Sequence, residues 1–134
     1  MIKGLAHVCF IVRNLEASIE FYQGKLGFRH AFDFIDAQGK RTGAYFLIGG
    51  RNFIEMFTGE VGVAAEKPSY RHFCVEVDDI EKTVADLRAK GVEVTPIARG
   101  SDRSWQAWVT DPDGNRIEMQ AYTPESKQEA ALRR

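Results

Sequence analysis

The sequence predicts an α+β protein built from two tandem copies of one β-α-β-β-β module. Two observations carry that prediction. The chain repeats itself: His7-Val8-Cys9-Phe10-Ile11-Val12 returns 65 residues later as His72-Phe73-Cys74-Val75-Glu76-Val77, and Ile54-Glu55-Met56 returns 63 residues later as Ile117-Glu118-Met119. Each copy also carries the same succession of periodicities, an alternating run, then a helical stripe, then three short strand-like runs. Between the anchors the register continues through Asn14/Asp79, Leu15/Ile80, Glu16/Glu81, Ile19/Val84, Ala44/Ala107, Tyr45/Trp108 and Asn52/Asn115.

The elements follow in order. Ala6 to Val12 alternates with period two and reads as a strand. Asn14 is a candidate N-cap with Glu16 in the first turn, and Leu15, Ile19, Tyr22 and Leu26 recur at helical spacing up to the stop at Gly27. Strands are predicted over Arg29 to Ile35, Thr42 to Ile48 and Asn52 to Phe57, with turns at Asp36-Ala37-Gln38-Gly39 and Gly49-Gly50. In the second copy the opening strand is Arg71 to Val77. Asp78 and Glu81 have the spacing of a capping box, Ile80, Val84 and Leu87 form the apolar stripe, and Gly91 ends the helix. Strands then run over Val92 to Ala98, Trp105 to Thr110 and Arg116 to Tyr122, the last entered through the tight turn Asp111-Pro112-Asp113-Gly114. The modules therefore occupy about residues 5–57 and 70–122 of a single domain spanning 1–134, with a linker at 58–69 and a polar tail at 123–134 that is loose or helical.

Composition narrows the function. The 134 residues are 44% apolar and 28% charged, values of a folded protein. A formal net charge of -1 argues against a nucleic-acid or anionic-membrane surface, so the expected partner is a small molecule. No run approaches the roughly 20 apolar residues of a membrane span, and the start lacks the apolar stretch of a secretion signal. The expected location is cytoplasmic. Cys9 and Cys74, two cysteines in apolar runs, read as buried free thiols in a reducing compartment.

Four polar residues stand in strands that are otherwise apolar: His7, Glu55, His72 and Glu118. Buried without a partner, such groups cost several kcal/mol, roughly, so each must be hydrogen-bonded, paired or metal-bound. Phe73, Val75 and Val77 alternate away from His72, and Ile117 and Met119 away from Glu118. Helices would cover that apolar face, leaving His and Glu to converge on the other. A lone strand His is more often structural, but recurrence of His and Glu at matching positions of a duplicated unit favours a shared metal. Two imidazoles and two carboxylates suit Ni, Zn, Co, Mn or Fe(II). His30, with no counterpart in the second copy, reads as a surface or loop residue.

On these residues the chain resembles the vicinal oxygen chelate superfamily, the glyoxalase I, bleomycin-resistance and extradiol-dioxygenase group, over about Leu5 to Tyr122. His7 to Phe28, with Phe21-Tyr22 and Leu26-Gly27-Phe28, is similar to its N-terminal signature, and Asp111-Pro112-Asp113-Gly114-Asn115-Arg116-Ile117-Glu118 to its C-terminal one. The resemblance implies paired modules forming an open, barrel-like mixed sheet around a metal cleft, and a homodimer. It places His7, Glu55, His72 and Glu118 on the family's metal-ligand positions, a set most like that of glyoxalase I. It implies proton transfer through a metal-bound enediolate on a small oxygen-rich substrate, such as the hemithioacetal of methylglyoxal and glutathione. Glu118 is then the first candidate for the catalytic base and Glu55 the second. The same resemblance admits an epimerase, a thiol transferase, a dioxygenase or a non-catalytic drug-binding resistance protein. Arg13, Arg41, Arg99 and Arg103 are available cations for a substrate carboxylate, and Trp105, Trp108, Tyr45 and Phe57 are aromatic residues that line either a pocket or the core.

Overall fold

The computed structural model describes residues 1–62, Glu66 and residues 69–133. The chain divides into two compact units, Met1–Ala65 and Glu66–Arg134. Of the predicted linker, residues 63–65, 67 and 68 lie outside the described residues, as does Arg134 of the tail. Each unit carries one open four-stranded mixed sheet with the predicted β-α-β-β-β order.

In the first unit, β1 (His7–Val12) leads into α1 (Leu15–Ile19), followed by β2 (Arg29–Ile35), β3 (Arg41–Gly49) and β4 (Asn52–Thr58). The strand order is β1-β4-β3-β2, with β1 parallel to β4 and the other pairs antiparallel. Asn14 caps α1 as its sequence predicts, its side chain accepting from the Ala17 N–H at 3.1 Å. The helix does not run uniformly to Gly27. After Ile19 it widens into a π-helix over Glu20–Lys25, closed by the Leu26 N–H donating to the Phe21 carbonyl. Across that wider turn Phe21 and Tyr22 are both buried and meet edge to face at 5.2 Å. With Val12, Leu15, Ala44, Phe46, Ile54 and Met56 they make the core beneath the helix. Each of the larger side chains contributes about 1.5–3 kcal/mol by leaving water.

The second unit repeats the design with β5 (Phe73–Glu76), α2 (Ile80–Ala89), β6 (Ala98–Arg99), β7 (Trp105–Thr110) and β8 (Arg116–Ala121), in the order β5-β8-β7-β6. Its core is Ile80, Val84, Leu87, Ala107, Val109, Ile117 and Met119. Two expectations are corrected. The cap of α2 is Asp79, not Asp78: the Asp79 carboxylate accepts from the Lys82 N–H at 2.9 Å, the same geometry as Asn14 in the first unit. The strand predicted over Val92 to Ala98 shrinks to Ala98–Arg99. The Thr95 N–H does donate to the Trp108 carbonyl, but the return bond from the Trp108 N–H goes to the Thr95 side-chain oxygen, and Pro96 has no N–H to continue a ladder. The tail forms α3 (Lys127–Leu132), capped by the Ser126 hydroxyl, which accepts from the Glu129 N–H.

Both sheets have a helix-covered face and a polar face. In the first, α1 packs on β3 and β4, and in the second α2 packs on β7 and β8. The cysteines belong to the other face. Cys9 and Cys74 are exposed, contrary to the expectation of buried thiols, because strict alternation puts them on the side of His7 and His72, away from Val8, Phe10, Phe73 and Val75.

Candidate metal centre

In the second unit the ladder sets Glu118 of β8 between Cys74 of β5 and Trp108 of β7. Glu118 is 7% exposed, an expensive place for a carboxylate without partners. Both of its oxygens are engaged. Oε2 lies 3.0 Å from Nε2 of His72, the residue just before β5, and Oε1 accepts from the Gln120 side-chain N–H at 2.9 Å. The His72 ring sits edge-on to Trp108 at 4.6 Å, and the Arg116 guanidinium lies over the same indole at 4.2 Å.

The first unit builds the same frame from its own copy. Glu55 of β4 stands between Cys9 of β1 and Tyr45 of β3, the register of Glu118 one module earlier. His7 Nε2 is 3.6 Å from Glu55 Oε2, and His7 Nδ1 is 2.9 Å from the Tyr45 hydroxyl. Burial raises the Tyr45 pKa, helped by the Glu55 charge, so the phenol stays protonated at neutral pH. With the imidazole proton on Nδ1 and given to the Tyr45 oxygen, Nε2 is left as a lone-pair donor beside the carboxylate, the arrangement typical of a metal-ligating histidine.

The four residues singled out from the sequence thus pair as His7 with Glu55 and His72 with Glu118. Within either unit, among the described residues, no third His, Cys, Asp or Glu completes a metal-binding group of three. Each pair nonetheless fits a divalent cation chemically. It offers one imidazole nitrogen and one carboxylate oxygen at the same point of a sheet face, and without an ion the neighbouring thiols stay protonated. The Cys74 thiol, although its edge reaches solvent, is pushed up to about 12 by the protein around it and then by Glu118, Asp102 and Glu76. The Cys9 thiol is raised by the same two causes, burial and then Glu55.

Sequence reasoning missed the carboxylate and amides behind Glu118. Asp102, before β7, accepts from the Ser104 N–H through Oδ1 and from Gln120 and Gln128 through Oδ2. Its pKa is lowered chiefly by the Gln128 hydrogen bond, with burial opposing and Ser104 assisting. The only signal was a polar residue at Gln120, two positions after Glu118 and therefore on its face. The other residues named from sequence lie elsewhere. Arg41 is held by Glu16 and Asp33, and Arg99 by Glu125 and the Arg103 carbonyl, so two of the four cations are already paired with carboxylates. Arg13 donates to the Val61 carbonyl, and Trp105 is exposed under Arg99. His30 is neither loop nor free surface: it sits in β2, 2.7 Å from Asp33 and edge-on to Phe46, because a bulge between His30 and Phe32 brings positions three apart to one face.

Residues 4–119 match the model of the Glyoxalase/Bleomycin resistance protein/Dioxygenase superfamily. The chain belongs to this superfamily. It is 31% identical to lactoylglutathione lyase GLX1 of Arabidopsis thaliana over 98% of its own length, and spans about half (49%) of that longer relative. It is 30% identical to the metallothiol transferase FosB of Staphylococcus epidermidis over 95% of the chain and 89% of the relative. Among solved structures, FosX of Listeria monocytogenes, a fosfomycin resistance protein complexed with Mn(II), is 25% identical with a TM-score of 0.71, covering 97% of this chain and 99% of that one. Superfamily members of both the lyase and the transferase kind are thus related to the chain along nearly all of it. No helix among the described residues is long and apolar enough to cross a membrane.

Proposed function

We propose that the chain is a divalent-metal-dependent lyase or isomerase of the glyoxalase I type, a single domain in which two modules supply His7, Glu55, His72 and Glu118 to one ion. The observation that carries this reading is the recurrence of a facing His–Glu pair, 3.6 Å and 3.0 Å apart, at the same register of both sheets. Two donors are too few to hold a catalytic metal, and two such pairs make four, brought together within one chain or between the copies of a homodimer. The ion is Ni, Zn, Co, Mn or Fe(II), and the setting is cytoplasmic. A divalent cation held there supplies a Lewis acid that stabilises charge when a proton leaves a carbon beside a carbonyl.

The chain's own residues do the rest. His7 and His72 bind as neutral imidazoles, the first oriented by Tyr45. Glu118, once loosened from the ion, would take the proton from carbon through Oε2 and return it to the neighbouring carbon, while Oε1 stays with Gln120. Glu55, more exposed and without an amide partner of this kind, is the alternative base. Phe34, Tyr45, Phe53 and Phe57 form an aromatic surface on the side of His7 and Glu55. The likeness to a lactoylglutathione lyase supports a glutathione hemithioacetal as substrate. The similar likeness to FosB supports a second reading, thiol transfer to fosfomycin.

The test is untagged protein loaded in turn with each of the five ions and assayed with the methylglyoxal–glutathione hemithioacetal and, separately, with a thiol plus fosfomycin. Isomerase turnover with at least one ion, lost in H72A, is the expected result. Turnover only with fosfomycin selects the transferase. Protein that binds none of these ions overturns both readings and leaves a non-catalytic drug-binding protein.

A further inference from the structure

The polar faces of the two sheets share a frame but differ in one row. Where the first unit has Phe57, two residues after Glu55, the second has Gln120, two residues after Glu118. Phe57 packs against Phe34 at 4.7 Å, whereas the Gln120 amide is inserted between two carboxylates, donating to Glu118 Oε1 at 2.9 Å and to Asp102 Oδ2 at 3.2 Å. Chemistry settles which way the amide points: ionised carboxylates only accept, so the NH2 group must face both of them.

Asp102 in turn is held from the C-terminal helix. Gln128 of α3 donates to Asp102 Oδ2, the Lys127 N–H donates to the Asp102 carbonyl at 2.9 Å, and the Ser104 hydroxyl donates to Gln128 Oε1 at 3.4 Å. A continuous set of hydrogen bonds therefore runs from α3 through Asp102 and Gln120 to the carboxylate facing His72. We propose that Gln120 is a positioning residue for Glu118, backed by Asp102 and Gln128, so that the C-terminal helix is part of the metal centre. By holding Oε1, the amide leaves Oε2 as the single oxygen presented toward His72. A carboxylate bound through one fixed oxygen has its direction set in advance, and losing such an outer partner typically weakens metal binding about 10- to 100-fold. Glu55 has Phe57 in the corresponding row and lacks this amide, so the two glutamates are unequal by construction.

The inference rests on the proposed metal site, and the experiment separates the two. Metal-free wild type, H72A, Q120M, Q128L and R133A are titrated with Co(II), reading affinity by calorimetry and ligand geometry from the visible spectrum. Met at 120 preserves length and bulk but cannot donate. Arg133 reaches Pro124 and Glu129 at the far end of α3, so R133A loosens the helix without removing Gln128. Expected are loss of binding in H72A, at least tenfold weaker binding with an altered spectrum in Q120M, a smaller change of the same kind in Q128L, and wild-type behaviour in R133A. Wild-type protein that takes up no Co(II), Ni(II), Zn(II) or Mn(II) overturns the metal site itself. Binding abolished by H72A but unchanged in affinity and spectrum by Q120M overturns the positioning role alone. Equal losses in Q128L and R133A reduce α3 to a general stabiliser and overturn its part in the centre.

Discussion

Gly43 offers a sharp test of how the aromatic face of the first unit is packed. An added Cβ would come within 2.5 Å of Phe57 Cδ1 and 2.6 Å of the Met56 carbonyl oxygen. Neither obstacle yields freely. The ring packs at a tilt against Phe34, and the carbonyl belongs to β4, which pairs with β3 through Gly43 and Phe57 themselves. Overpacking of this kind costs about 1–3 kcal/mol, and displacing the ring from Phe34 forfeits about 0.5–1.5 kcal/mol more. Alanine's lower unfolded-state entropy returns at most about 1 kcal/mol. Gly43→Ala should therefore destabilise by about 2–3 kcal/mol, a fall in Tm of about 6–12 °C for a chain of this length. Urea unfolding and calorimetry measure both. In a Phe57→Leu background the ring clash disappears while the carbonyl clash remains, so the penalty should fall by about half. A penalty below about 0.5 kcal/mol, or one unchanged by Phe57→Leu, would refute the packing argument.

Other substitutions test local chemistry. Asp79→Ala should cost about 1 kcal/mol of stability by removing the cap of α2, whereas Asp78→Ala should be near neutral; the reverse order in thermal melts would restore Asp78 as the cap. Ser18 is fully buried in α1 and its hydroxyl has no hydrogen-bond partner among the described residues, so Ser18→Ala should stabilise by about 1 kcal/mol, and a loss of that size would reveal an unseen partner. Because the Asp102 carboxyl is depressed in the folded state, its contribution is present above the ordinary carboxylate range near 4 and is lost as pH falls through its folded value. Gln128→Leu should thus be less stable than wild type at neutral pH, with the gap closing as pH falls from the ordinary carboxylate range through the lower folded value. A gap of constant size across that range would show that Asp102 is not its source.

Much of the architecture was legible because it depends on local rules written twice. Period-two runs, an N-cap followed by an apolar stripe, and glycines at helix ends each act within a few residues, and their agreement between copies turned weak signals into a firm topology. The misses were equally local in cause. Pro96 and the Thr95 side chain replaced ladder bonds over most of the strand expected at Val92 to Ala98, and Asp78 and Asp79 compete for one cap that only backbone geometry assigns. The cysteines went wrong because apolar neighbours suggested burial while alternation placed them on the polar face.

By itself the sequence determined the duplicated module, its β-α-β-β-β order of elements and the four polar positions in or beside apolar strands, since repetition and alternation are properties of the chain's own spacing. Only the tertiary structure decided which side chains meet. His72 reaches Glu118 from 46 residues away, and Gln128 reaches Asp102 from 26. Hydrogen bonds have a reach of about 3 Å and no memory of sequence distance, so Gln120, an unremarkable polar residue on a strand, becomes the link between a helix at the end of the chain and the candidate ligand Glu118.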